Sequence, residues 1–295
     1  MSRIQDILKK AEREGAVQRT RALAPEPVPS PSGTMAMPLP RLPRRSPAGP
    51  DAAAWTPTET PADAPARNVT GTFDARLVAA CAPQSFAAEQ YRSLRTRIKT
   101  VERGRAIRAI IVTSPNKGDG KSLTAANLAL TMAQEFQQRI ALLDADLRRP
   151  SIHRLLGISE TPGLSDVLMG GATLDDALVL MPEHHLTVLP SGIVPIHPAE
   201  LLGSAAMRRV LDTLRTRFDH VIIDMPPVAP LADVSIASAM ADGVLMIVRA
   251  GVTPKPAIER ALAGLEMSKV LGLILNDAGD TAAAYGYGGY GYAAG

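Results

Sequence analysis

The stretch Ile107–Thr124, IRAIIVTSPNKGDGKSLT, constrains the fold more than any other part of the chain. An apolar, β-branched run at Ile107, Ile110, Ile111 and Val112 predicts a buried strand, Ser114–Gly120 a turn, and Leu123 onward a helix. A strand, a glycine-rich turn and a helix in that order aim backbone N–H groups and a helix N-terminus at one point, an arrangement that holds phosphate. Lys117, Gly118, Asp119, Gly120, Lys121, Ser122 and Leu123 make up the turn and the helix start. They match the end of the pattern G-x-x-x-x-G-K-[ST] that touches the β- and γ-phosphates, whereas the position of its first glycine holds Pro115. The stretch is a candidate nucleotide-binding loop, and it needs a metal-binding half elsewhere in the chain.

Two later strands supply acids. Ile140–Leu143 reads as a buried strand running into Asp144-Ala145-Asp146, and HVIIDMPP, residues 220–227, is a second apolar run ending in Asp224. In open parallel sheets ligands sit beyond the carboxyl ends of the strands, so all three carboxylates are expected beside the phosphates. Asp224 has the form of a Walker B aspartate able to hold Mg²⁺ directly or through water. Asp144 and Asp146 could instead cap the next helix, but Pro150 argues that this helix starts late. Further strands are expected at 185–190, 242–251 and 271–277. Helices are expected at 86–101, 122–137, 164–169, 174–181, 198–217, 233–240 and 256–269. Strands alternating with helices, and near-continuous apolar strands, predict an α/β fold with a doubly wound, mostly parallel sheet in one domain over 73–278.

Outside that domain the composition changes. Residues 1–50 hold nine Lys/Arg against four Asp/Glu, and residues 51–295 hold 23 against 25, so the basic balance belongs to the N-terminal arm and a nucleic-acid-binding core is not indicated. Residues 1–20 predict a short amphipathic helix with Ile4, Ile7, Leu8 and Ala11 along one side. Residues 21–72 predict a disordered linker, with 12 prolines between Arg21 and Thr70. No apolar run is long enough to span a membrane, and no signal peptide is expected. The single Cys81 excludes an internal disulfide, and the histidines show no zinc spacing; a cytoplasmic compartment fits. Residues 279–295 predict a mobile Gly/Tyr-rich tail: four of the five tyrosines, Tyr285, Tyr287, Tyr290 and Tyr292, lie in the last eleven residues.

Together, the phosphate loop, LLDADLRRP, IIDMPP and the tyrosine cluster resemble the bacterial tyrosine kinases of capsule and exopolysaccharide biosynthesis, over about Asp74–Asn276. The resemblance extends to an E-x-x-R-x-x-R helix at Glu89, Arg92 and Arg95, to GLSDVLMG, to HPAELL and to GLILN. It implies a P-loop NTPase of the deviant-Walker kind related to MinD and ParA, with ATP and Mg²⁺ as cofactors. It also implies autophosphorylation of the tail tyrosines in trans within a ring-shaped homo-oligomer, an octamer, built partly on Glu89, Arg92 and Arg95. The implied partners are a separate membrane-spanning chain-length regulator that activates the kinase at the inner face of the plasma membrane, and a tyrosine phosphatase. Lys121, Asp144, Asp146 and Asp224 are the candidate catalytic residues, with Ser122, Asp146 and Asp224 toward the metal. Asp144 stands ahead of Asp146 as the base. Lys117 reads as a solvated loop lysine, where relatives commonly carry proline.

A positioning ATPase of the ParA/MinD kind shares the fold without the kinase activity. Its signature lysine would stand at position 116, which is Asn116, and it gives no reason for a tyrosine tail. A nucleotide-operated switch without catalysis is a third reading.

Overall fold

The computed structural model describes residues 67–68, 72–102, 104–135, 138–228, 234, 238–279. The expected 1–20 helix, nearly all of the 21–72 linker, most of the expected 233–240 helix and the tyrosines of the tail lie outside these residues.

The strands are β1 (Arg67–Asn68), β2 (Ala109–Thr113), β3 (Ile140–Asp144), β4 (Val179–Met181), β5 (Leu186–Leu189), β6 (His220–Asp224), β7 (Gly243–Arg249) and β8 (Val270–Asn276). They form one eight-stranded sheet in the order β1-β4-β5-β3-β6-β2-β7-β8. Every pairing is parallel except β4 with β5. The doubly wound, mostly parallel α/β sheet expected from the sequence is therefore the observed one. The order reverses around β2, β3 and β6, whose carboxyl ends open the crevice where such sheets bind ligands.

β2, β3 and β6 are buried along their whole length, as strands covered on both faces must be. One apolar layer lies under α1 (Val78–Cys81), α2 (Phe86–Glu102), α3 (Lys121–Ala133) and α4 (Ile152–Leu156). The other lies under α5 (Leu164–Leu168), α6 (Leu174–Ala177), α7 (Pro198–Leu202), α8 (Ala205–Arg217) and α9 (Lys255–Ala263). α3 is buried from Thr124 to Ala133 without a polar face because α2 packs over it. The helix that starts at the phosphate loop is thus set inside the protein.

Three expected helices are shorter. The pattern at 174–181 yields a single turn, capped by Thr173 and Asp176, and then β4, because Val179 and Met181 are buried with a period of two. The expected 198–217 helix breaks at Gly203-Ser204, where the Ser204 hydroxyl accepts from Met207 N at 3.1 Å and starts α8. The expected 256–269 helix stops at Ala263 before Gly264, and a 3₁₀ turn, Met267–Lys269, leads into β8.

Candidate active site

The phosphate loop leaves β2 at Thr113, whose hydroxyl donates to the Pro226 carbonyl at 2.7 Å and joins it to the segment after β6. Gly118 and Gly120 have φ of +88° and +97°, values that few side chains accept. At Gly120 a Cβ would also lie 2.0 Å from Asn276 Nδ2, so any side chain there would displace the amide that bonds Asp119. Asp119 faces away from the phosphate position. Its Oδ2 accepts from Asn116 N at 2.9 Å, its Oδ1 accepts from the Thr253 hydroxyl at 2.8 Å, and Asn276 Nδ2 donates to its carbonyl at 3.0 Å. Asp119 therefore fastens the loop to the segment after β7 through its side chain and to the end of β8 through its carbonyl. Lys117 is exposed at the loop's tip.

Lys121, first residue of α3, points its ammonium back between the acids. Its Nζ lies 2.7 Å from Asp146 Oδ2, 3.4 Å from Asp224 Oδ1 and 2.9 Å from Ser122 Oγ. Burial pulls the lysine pKa down, but the charges of Asp224 and Asp146 outweigh burial and hold it above its ordinary value. Asp224 is fully buried and its pKa is raised by burial against the opposing charge of Lys121. The Oδ2 atom of Asp224 is buried without a hydrogen-bond partner, which leaves a lone pair for a cation or its water. Ser122 stands next to it, its Oγ 2.9 Å from the Lys121 ammonium that pairs with the same carboxylate. This donor set fits a divalent cation. Among the described residues no three His, Cys, Asp or Glu side chains form a self-contained metal site, so phosphate oxygens would have to complete the shell, as is usual for Mg²⁺.

Asp144 corrects one expectation. Helix α4 begins directly after Pro150, with Ser151 at its N-cap. The Asp144 Oδ2 atom accepts from Ser151 N at 3.1 Å and Ile152 N at 3.0 Å, while Oδ1 accepts from Asp146 N at 3.2 Å. Asp144 does cap the next helix, because Pro at the N-terminal boundary lacks only an N–H that has no partner there. Burial first, and then the charge of Asp224, push its pKa up to about 8. Lys121, Ser122, Asp144, Asp146 and Asp224 thus meet at one edge of the sheet.

Glu89, Arg92 and Arg95 do not form one free face. The Glu89 carboxylate pairs with Arg92 at 2.7 Å within α2, and Arg92 Nη1 donates to the Pro83 carbonyl at 2.8 Å. Arg95 Nη1 donates to the Thr131 carbonyl of α3 at 2.8 Å. Sequence reasoning missed Thr253, Tyr91 and Asn127. The Tyr91 hydroxyl lies beside Thr124 and Asn127 on α3, and Asn127 accepts from Ala79 N at 3.0 Å and donates to the Arg76 carbonyl at 3.1 Å. A polar residue inside an otherwise apolar helix is the signal that could have found Asn127.

A phosphate loop at one strand end and buried carboxylates at the next two define a P-loop nucleotide-binding domain. In agreement, the ParA family profile, described as NUBPL iron-transfer P-loop NTPase, matches residues 105–277. Tyrosine-protein kinase YwqD of Bacillus subtilis is 38% identical over 202 residues, 68% of this chain and 85% of that protein. The solved chimerical protein CapA2B2 superposes with a TM-score of 0.65 at 31% identity, over 72% of this chain and 93% of that one. The kinase domain of the Escherichia coli tyrosine kinase ETK gives a TM-score of 0.66 at 27% identity, over 71% and 82%. The chain belongs to the family of bacterial tyrosine-protein kinases.

Proposed function

We propose that this chain is an ATP-dependent protein-tyrosine autokinase. It transfers the γ-phosphoryl group to Tyr285, Tyr287, Tyr290 and Tyr292 of a neighbouring copy, and so regulates capsule or exopolysaccharide polymerisation and export. The observation that carries this reading is the Lys121 ammonium held between Asp146 and Asp224 at the mouth of the phosphate loop, in a chain whose tail is rich in tyrosine.

In this reading the amides of residues 118–122 hold the phosphates, and Lys121 leaves the carboxylates to neutralise phosphate oxygens. Ser122, Asp146 and Asp224 would hold Mg²⁺, which supplies charge neutralisation on the phosphates when bound. Phosphoryl transfer then depends on placing the acceptor and removing its proton. A tyrosine hydroxyl ionises near pH ~10, so a carboxylate must take that proton at neutral pH. Asp144 suits that role in its ionised form, which the charge of Lys121 favours, once its surrounding backbone donors shift; Asp146 is the alternative. The nine steps from Asn276 to Tyr285 span about 30 Å when extended, enough to approach an adjacent subunit.

The homo-oligomer is a ring, an octamer, to which Glu89, Arg92 and Arg95 contribute. Among the described residues no helix is long and apolar enough to cross a membrane; a separate membrane-spanning regulator recruits and activates the kinase at the inner face of the plasma membrane. A tyrosine phosphatase resets the tail. The amphipathic segment 1–20 and the linker up to β1 act as an arm toward that surface.

Phosphopeptide mass spectrometry after incubation with Mg²⁺-ATP tests the reading, beside Lys121→Met and a variant with the four tail tyrosines changed to Phe. Phosphate on 285–292 in the wild type and none in Lys121→Met is the expected result. ATP hydrolysis with an unmodified tail, even with the activator's cytoplasmic segment present, would point instead to a positioning ATPase.

A further inference from the structure

The loop after β5, residues 190–197, is fixed at its base and apolar at its tip. Leu164 N donates to the Pro190 carbonyl at 2.7 Å, Ser165 N to the Ser191 carbonyl at 2.8 Å, and Gly192 N to the Glu160 carbonyl at 3.1 Å. The Ser165 hydroxyl donates to the Ile193 carbonyl at 2.6 Å. Gly192 has φ +78°, and a Cβ there would come within 2.4 Å of Asp166 Oδ2 and 2.5 Å of Ser165 Oγ. Above this tight base, Ile193, Val194 and Ile196 are 52%, 62% and 90% exposed. Three large aliphatic side chains presented together by a buttressed loop mark a surface that another chain covers.

Its place in the sheet indicates which chain. β5 runs parallel to β3, so the loop emerges at the same edge as Asp144, Asp224 and the phosphate loop. In the strand order β5 lies on one side of β3, β6 and β2, and β8 on the other. At about 4.8 Å per strand, five spacings separate the loop from the end of β8 by roughly 24 Å, with the phosphate site between them. The described chain ends at Gly279, just past β8, and Asp280 is the only charged residue among the sixteen that follow. These sixteen extend to about 50 Å. Their aromatic rings need an apolar seat, and the loop provides one on the site's own edge. A tail from the same chain would have to cross its own phosphate loop to reach it, whereas a neighbour's tail arrives from outside.

We propose that Ile193, Val194 and Ile196 seat the Tyr/Gly tail of a second copy, one ring resting on the loop while another enters the phosphate site. This rests on the autokinase reading and accounts for the clustering of the acceptors. Tyrosines two or three residues apart are separated by roughly 7–10 Å in extended chain, matching the one or two strand spacings, about 5–10 Å, from β5 to β3 and β6. Docking one ring thus places the next over the carboxylates.

The test uses the full-length protein with Mg²⁺-ATP and synthetic 280–295 peptides retaining one tyrosine, the other three changed to Phe in one peptide and to Ala in another. The wild type is expected to show a KM for the Phe peptide about tenfold below that for the Ala peptide. In Val194→Ser/Ile196→Ser the two KM values should converge, with KM for ATP unchanged. A preference for Phe that persists in the variant would overturn the proposal and leave the kinase reading standing. A wild type that phosphorylates neither peptide, even with the activator's cytoplasmic segment present, defeats the kinase reading; equal binding of a fluorescent Phe peptide to wild type and variant then defeats the seat as well. Normal peptide kinetics with lost self-association on a sizing column would make the loop an interface between copies, and would also overturn the seat.

Discussion

Lys121 carries two tasks, and pH separates them. The ammonium is the countercharge for two buried carboxylates, with Asp144 close behind them. Asp144 titrates at about 8 in the fold against 3.8 as a free side chain. Between those values the folded chain keeps a proton that the unfolded chain has released, so this group's contribution to stability is present at low pH and fades as pH rises toward about 8. Removing the lysine charge pushes Asp144 and Asp224 further the same way. Lys121→Met is therefore expected to lose phosphorylation at every pH. Its melting deficit against wild type, measured without nucleotide, should be larger at pH 8, about 3 kcal/mol for a broken buried pair, than at pH 6, where the proton on Asp144 removes one charge from the cluster. An equal deficit at both pH values would show that the carboxylates do not depend on the ammonium. Asp144→Asn, which keeps an acceptor for the α4 amides, should melt less steeply with rising pH than wild type. Its phosphorylation should fall through kcat rather than through KM for ATP.

Between elements, the decisive contacts are the ones sequence patterning did not reveal. Strand, turn, helix and the two acid-ended strands were legible because each is a local pattern: apolar runs, glycines, an acid where the run stops. Asp144's capping role is not legible, because Pro150 argues for a late helix start, although proline just ahead of a helix removes no bond the helix needs. Thr253 is missed for another reason, and so is the contact that Asn276 makes. Thr253 meets Asp119 across 134 residues and Asn276 meets it across 157, contacts that depend on β7 and β8 lying beside β2. The Thr253 hydroxyl is a relay, accepting from Arg249 N at 2.9 Å and donating to Asp119. Thr253→Val keeps the shape and deletes both bonds. A net hydrogen bond contributes about 1 kcal/mol, so ATP affinity, measured with a fluorescent analogue, should weaken roughly five- to tenfold. Thr253→Ser should restore it. Loss of affinity in both variants alike would mean that the methyl packing, not the hydroxyl, holds the loop.

At the scale of the whole molecule, the sheet gathers its phosphate loop and carboxylates on the carboxyl edge and ends β8 at that same edge, so a tail modified by the proposed autokinase would act back on the site. Each phosphotyrosine adds about −1.5 to −2 charge, and four would place roughly −6 to −8 on a segment whose sequence carries only Asp280. The site it leaves is lined by Asp144, Asp146 and Asp224 with Lys121 as the nearest buried cation, and the loop proposed to seat its rings is aliphatic. Phosphate on a tyrosine thus opposes both contacts: like charge at the carboxylates and desolvation cost at the apolar seat. Phosphorylation is expected to release the tail and loosen the oligomer. Light scattering on a sizing column should give a smaller mass for fully phosphorylated protein than for the same protein after phosphatase treatment. Screening by salt separates the two causes: if charge repulsion dominates, 1 M salt, with a Debye length of about 3 Å, should restore much of the larger mass. Identical masses before and after phosphorylation would mean that the tail contributes nothing to assembly, and that any cycling of the oligomer must begin elsewhere.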